Sequence, residues 1–210
     1  LDSVIKFPWN MTLGAINDNN LIRKIGKRMG EQEKLLGINI SFSPVLDINT
    51  NPQNPIIGNR SFGEDRFNVT SKASALMEGH HEAGVLTSGK HFPGHGDTHQ
   101  DSHKELPLVS FDLERINEIE LYPYKNLIDK GLSSIMVAHL NVPKLTDSNK
   151  TPTSLSDKVV TKLLKDEMGF KGLIISDAMN MRGVLDSKMF KNVDLAAFLA
   201  GNDILLVSNN

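Results

Sequence analysis

The chain has 210 residues, a formal net charge of −2, 39% hydrophobic residues and no cysteine. That length supports one substantial core, so one domain or a piece of a larger one is expected, and the near-neutral charge leaves no footprint for nucleic acid or an acidic membrane. Disulfides and thiolate metal sites are excluded, and no apolar run approaches the ~18 residues of a membrane-spanning helix. The chain opens at Leu1 with neither methionine nor a signal-like segment. It is therefore expected to be an excerpt, with any targeting signal outside it and the compartment undecided.

Leu13 to Leu36 reads as one helix, with Ile16, Ile22, Ile25 and Met29 on a stripe and Gly37 as a stop. The apolar stretch "GINISFSPVLDI" follows as a strand with a polar exit at Asp47. Asp65 to Ala83 is helical again, with Val69, Ala73, Leu76, Met77 and His80 on one face, ended by Gly84. "VLTSGKHF" is the next strand, and Phe111 to Lys130 a helix that Pro123 must kink or split. The strand "SSIMVAHL" precedes a helix capped by Ser156, carrying Val159, Val160, Leu163 and Leu164 and stopped by Gly169. "LIISDAM", a helix through Leu195 to Ala200 and "DILLVS" complete five alternations of helix and strand.

Strands without polar alternation, each preceded by a helix, indicate a parallel sheet covered by helices. Either an open doubly wound sheet or a (β/α)8 barrel would satisfy this. Neither G-x-G-x-x-G nor G-x-x-x-x-G-K-[ST] occurs, which removes the signature of the nucleotide-binding version of the former. Asp47, Lys90, His91, His139, Ser176 and Asp177 all fall at carboxyl ends of predicted strands. In a barrel those ends converge on one face, where barrel enzymes keep their chemistry. The fold expected is thus α/β, a (β/α)8 TIM-type barrel present as about five β/α units, too few to close.

One stretch concentrates polar groups: "KHFPGHGDTHQDSH", residues 90–103, holds four of the seven histidines. Pro93, Gly94 and Gly96 make residues 92–103 a loop leaving a strand. A metal site would draw on His95, His99 and His103 with Asp97 or Asp101, but the usual two-histidine arrangement needs a helical face this loop does not have. The histidines would otherwise serve merely to cap backbone groups. A third reading pairs Asp101 with His103, two residues apart on an extended loop. There the carboxylate reaches an imidazole nitrogen and fixes its tautomer, making the ring a proton carrier.

These residues carry a resemblance. "KHFPGHGDTHQDSH" resembles the signature loop of the β-N-acetylglucosaminidases of glycoside hydrolase family 3, its Asp-Ser-His ending being specific to that branch. "SPVLDINTNPQNPIIGNRSFGED" is similar to an earlier strand and loop of the family, and "LIISDAMNM" to the strand presenting its nucleophile. The similarity covers essentially the whole chain, in order. It implies that Asp177 is the nucleophile of a retaining exo-glycosidase and His103 the general acid/base, with Asp101 orienting it. Arg60, Lys90 and His91 are implied to bind sugar hydroxyls, and His139 and Asp47 to give support only. Terminal β-linked GlcNAc of peptidoglycan fragments is the implied substrate.

No cofactor and no metal are implied. "FPWNMTLGAI" resembles the form found where a second hydrolase domain follows the barrel. The family's first strands, with an acidic and an arginine contact to substrate, would precede Leu1. Residues 1–210 are therefore expected to be a catalytic barrel lacking its N-terminal strands and C-terminal end. In isolation it would be unstable or inactive, because an open barrel exposes parallel edges. Retaining glycosidases usually employ two carboxyl groups about 5 Å apart, and a histidine acid/base departs from that scheme. Lys90 and Arg60 supply positive charge expected to keep Asp177 ionised. The rivals are a phosphorylase of the same fold and, from another class, a non-catalytic sugar- or metal-binding module.

Overall fold

In the computed structural model, which describes residues 4–99, 106–185 and 190–207, the first helical stretch is two helices rather than one. α1 spans Asn10–Gly14 and α2 Asn19–Leu35. Asp18 breaks the stripe because its carboxylate accepts the Asn20 N–H as an N-cap, a bond available only with non-helical backbone at residue 18. A Cβ at Gly14 would stand 1.9 Å from the Phe62 carbonyl oxygen, so α1 ends in backbone contact with the loop that carries Arg60.

β1 is short, Ile40–Ser41, and the chain then runs extended to Val45, which bridges Lys90. α3 spans Arg66–Glu82, capped by Asp65, and buries the predicted face of Val69, Ala73, Leu76, Met77 and His80. It lies against α2 nearly backbone to backbone. A Cβ on Gly26 would meet the Leu76 carbonyl oxygen at 2.3 Å, and one on Gly79 the Arg23 carbonyl oxygen at 2.1 Å. Larger residues would force the helices apart and open the packed interior beneath them.

β2, Leu86–Phe92, is followed by α4 at Leu113–Arg115, π-wound turns over Ile116–Glu120 and α5 at Tyr122–Asp129. Pro123 sits in the first turn of α5, where its missing N–H costs no intrahelical bond, so the expected helix is split there and not kinked. β3, Ser134–Val137, leads through α6, Pro143–Thr146, to a π-wound helix over Lys158–Glu167. Ser156 offers that helix its carbonyl, to the N–H groups of Val159 and Val160, while the N-cap position falls to Asp157, whose side chain makes no cap. β4, Leu173–Ser176, precedes α7 at Arg182–Leu185 and α8 at Val193–Ala200.

The four strands pair in parallel in the order β1-β2-β3-β4. A bridge from Ile175 to Ile204, with Met179 N–H bonded to the Leu206 carbonyl, lays residues 203–206 along the far edge. Helix faces and the sheet share one core of Leu46, Phe92, Tyr124, Ile135, Leu164 and Ile174 among others. All strands point the same way, so their carboxyl ends gather Asp47, Lys90, His91, His139 and Asp177 on one face.

Candidate active site

Asp47, just past β1, is completely buried, and a buried carboxylate is stable only if its oxygens are paired. Its Oδ2 accepts from His91 Nδ1 at 2.6 Å, and its Oδ1 accepts the backbone N–H groups of His91 at 3.2 Å and His95 at 2.7 Å. Burial pushes the Asp47 carboxyl up, but His91 and His95 outweigh it and hold the group below its ordinary value. The Arg60 guanidinium, which only donates, lies 3.1 Å from His91 Nε2. With Arg60 donating to Nε2, the His91 ring carries its proton on Nδ1 and is fixed between Arg60 and Asp47.

The loop after β2 is built onto this hub. A Cβ on Gly96 would lie 1.9 Å from the Ile48 carbonyl oxygen, so glycine lets the loop touch the chain beside Asp47. The Asn54 amide donates to the His95 carbonyl at 2.8 Å, and the Asn51 amide to the Thr98 carbonyl at 3.0 Å. Arg115 reaches Asp97 at 2.9 Å and stacks on the Phe111 ring at 3.7 Å. Asp97, His95 and His99 are thereby turned to Arg115, Thr98 and Asn51 respectively. Among the described residues no group of three histidines and carboxylates is placed to hold a metal ion. His103 and Asp101 lie outside the described residues.

Asp177 follows β4 beside a cavity of about 170 Å³ lined by Arg60, Lys90, His91, His95, Phe42, Met136 and Leu206 among its walls. Its Oδ1 accepts the Ala178 N–H at 2.8 Å. Burial raises its carboxyl; His91, His139, the Ala178 N–H and Lys90 together overcome this and hold it below the usual carboxylate range. His139, fully buried, donates Nε2–H to the Ala178 carbonyl at 3.1 Å and accepts the Ser154 hydroxyl at 2.6 Å on Nδ1. Burial lowers its pKa, so it acts as a neutral strut behind Asp177. Lys90 is lowered by burial and by Arg60, while Asp177 and Asp47 pull it back up.

The structure therefore brings Arg60, Lys90, His91 and Asp177 to one cavity, with Asp47 and His139 behind them. Sequence reasoning missed His95 as a wall of that cavity and Leu206 as its contribution from the last extended segment. The arrangement offers a partly exposed carboxylate, ionised at neutral pH, facing cationic and imidazole groups: a nucleophile or electrostatic stabiliser opposite hydrogen-bond donors.

Asp47→Asn places an amide N–H against the His91 Nδ1–H and removes the carboxylate oxygen that accepts it. The full-length protein should lose about 1–3 kcal/mol at pH 7 in a denaturant titration, because a buried donor is left unmatched. Because the folded pKa of Asp47 is depressed, its contribution is present above the unfolded carboxylate pKa and fades as pH falls through the folded one. The variant should therefore lose less stability on acidification than the wild type. Lys90→Met removes one of the charges that keep Asp177 ionised, so the acidic limb of its kcat/KM profile should move to higher pH. An unmoved limb would show that Lys90 does not act on the Asp177 carboxyl.

Comparison with known proteins agrees with this architecture. Residues 2–210 match the model of the glycosyl hydrolase family 3 N-terminal domain. Beta-hexosaminidase A of Pseudoalteromonas piscicida is 37% identical over 98% of the chain, and the beta-hexosaminidase of Nitrosomonas eutropha 35% identical over all of it. The chain spans only 37% and 61% of those two relatives. A family 3 beta-N-acetylglucosaminidase from a Paenibacillus species superposes with a TM-score of 0.95 at 38% identity, covering 99% of this chain and 39% of that one. NagZ from Neisseria gonorrhoeae, solved with N-trifluoroacetyl-D-glucosamine, gives 0.88 at 30% identity over all of this chain and 61% of its own. The parallel sheet is accordingly part of a TIM-barrel-like α/β fold, and the chain belongs to glycoside hydrolase family 3, in its N-terminal domain.

Proposed function

We propose that the protein carrying this chain is a retaining exo-β-N-acetylglucosaminidase, releasing terminal β-linked GlcNAc with peptidoglycan fragments as its natural source. The observation that carries the reading is the Asp177 carboxylate, held ionised at a small cavity walled by Arg60, Lys90 and His91. The names of the beta-hexosaminidase relatives support the substrate. In the proposed reaction an Asp177 oxygen attacks the anomeric carbon while protonated His103 gives its proton to the departing glycosidic oxygen. The glycosyl ester of Asp177 is then cleaved by water, whose proton returns to His103, so two inversions retain the configuration. Asp101 orients the His103 ring, and Arg60, Lys90 and His91 hydrogen-bond sugar hydroxyls. Residues 1–210 form the catalytic barrel portion of a larger protein in which a second hydrolase domain follows; no cofactor takes part, and full activity should survive a chelator.

The test compares aryl β-GlcNAc with aryl β-glucoside as substrates of the full-length protein. Preference for the former is expected, and preference for the glucoside would reject the sugar assignment. A second reading is favoured by one observation: a solved beta-glucoside phosphorylase superposes with a TM-score of 0.92 at 28% identity over 97% of this chain and 38% of its own. Product analysis in phosphate buffer separates the two, since a phosphorylase yields GlcNAc-1-phosphate and the hydrolase free GlcNAc.

A further inference from the structure

His95 is 1% exposed and lines the Asp177 cavity, yet its Nε2 has no hydrogen-bond partner among the described residues. A buried polar atom left without a partner is costly, and in a residue that lines a cavity it points to a ligand group that completes it. The other ring nitrogen is committed. Nδ1 lies 2.7 Å from the Thr98 hydroxyl, which is itself 3.1 Å from the His95 carbonyl and 3.3 Å from the Asn54 amide. The His95 backbone N–H is bonded to Asp47, the same carboxylate that fixes His91. Asp47 thus holds two imidazole-bearing residues in the cavity wall, with the His91 and His95 ring centres 6.1 Å apart.

We propose that His95 is a further substrate-binding residue, its Nε2 hydrogen-bonding one hydroxyl of the sugar that occupies the Asp177 cavity. A hydroxyl fits because the Thr98 pairing permits either tautomer. If Nδ1 donates to Thr98, Nε2 is a lone pair awaiting a donor; if Thr98 donates to Nδ1, Nε2–H awaits an acceptor. A sugar hydroxyl is both donor and acceptor and satisfies either state, whereas a carboxylate or phosphate satisfies one. Burial lowers the His95 pKa and favours the neutral ring this pairing needs. The proposal rests on the glycosidase reading above.

Two substitutions separate binding from loop support. In His95→Asn the amide reaches only the Nδ1 position and keeps a partner for Thr98; in His95→Gln it reaches the Nε2 position and keeps the polar atom at the cavity. Full-length variants, with melting temperatures recorded, are assayed on aryl β-GlcNAc and its 3-, 4- and 6-deoxy analogues. His95→Asn should lose about 10- to 100-fold in kcat/KM and His95→Gln clearly less. On one deoxy analogue, the one lacking the partner hydroxyl, wild type and variants should converge. The reverse order of the two variants, or an equal loss on every analogue, would overturn the proposal and leave His95 as a loop anchor. A loss that vanishes on aryl β-glucoside would assign the contact to the acetamido group and overturn the hydroxyl assignment. If His95→Asn does not fold, the His95→Gln series on the deoxy analogues decides by the same convergence. Failure of the glycosidase reading looks different: the wild type itself would turn over no aryl glycoside, which removes this inference with it.

Discussion

Asp177→Ala should reduce kcat/KM for aryl β-GlcNAc by on the order of 10⁴-fold or more in the full-length protein. A covalent nucleophile lies on the only low-barrier path of a double displacement, so its loss removes the first step itself, not an adjustment to it. Because the fold holds the Asp177 carboxyl below its ordinary value, the ionised group also contributes stability at neutral pH, so the melting temperature should fall somewhat, and turnover is compared where both proteins are folded. Azide, small and anionic, should restore turnover in the space vacated and leave an α-glycosyl azide, the product of one inversion. A residual activity within about tenfold of wild type would mean that another group attacks the anomeric carbon.

His103→Ala should show a loss that depends on the leaving group. General acid help is worth about 10²–10⁴-fold where the departing oxygen needs a proton and little where it does not. Disaccharide and alkyl substrates should therefore suffer the large loss, and a nitrophenyl substrate a much smaller one. Asp101→Ala should follow the same trend more weakly, because it removes orientation rather than the proton carrier. Equal losses on nitrophenyl and disaccharide substrates would show that His103 binds or supports the fold instead of transferring a proton.

The readability of the sequence varied with the range of the forces involved. α3 was legible because its apolar period, its Asp65 cap and the stop at Gly84, which has φ of +76°, are all local and agree. The break between α1 and α2 was not, because the apolar stripe continues across it and only the Asp18 cap interrupts the backbone. Pro123 marks the split in the third helical stretch, but not its form: it falls at the start of α5, after π-wound turns that no side-chain pattern announces. The parallel sheet and the strand-end position of Asp177 followed from element order.

The interior wiring of the site did not follow. Asp47 and His91 lie 44 positions apart, and nothing local in either segment shows that one carboxylate serves both His91 and His95. From sequence His95 reads as a metal ligand or a backbone cap, because its spacing within the loop is visible while its burial against Thr98 is not. Arg60 and Lys90 drew attention through motif resemblance, and their placement beside Asp177 is a tertiary fact.

The central claim is that Asp177 becomes covalently bonded to the sugar, and trapping tests it most directly. A fluorinated N-acetylglucosaminyl donor with a good leaving group forms the glycosyl-enzyme faster than water can cleave it. Digestion and mass spectrometry of the full-length protein then locate the label. The account predicts stoichiometric inactivation with the sugar on the peptide containing Asp177, and none in Asp177→Ala. Label on any other carboxylate, or ordinary turnover of the donor with no adduct at any time point, would contradict it.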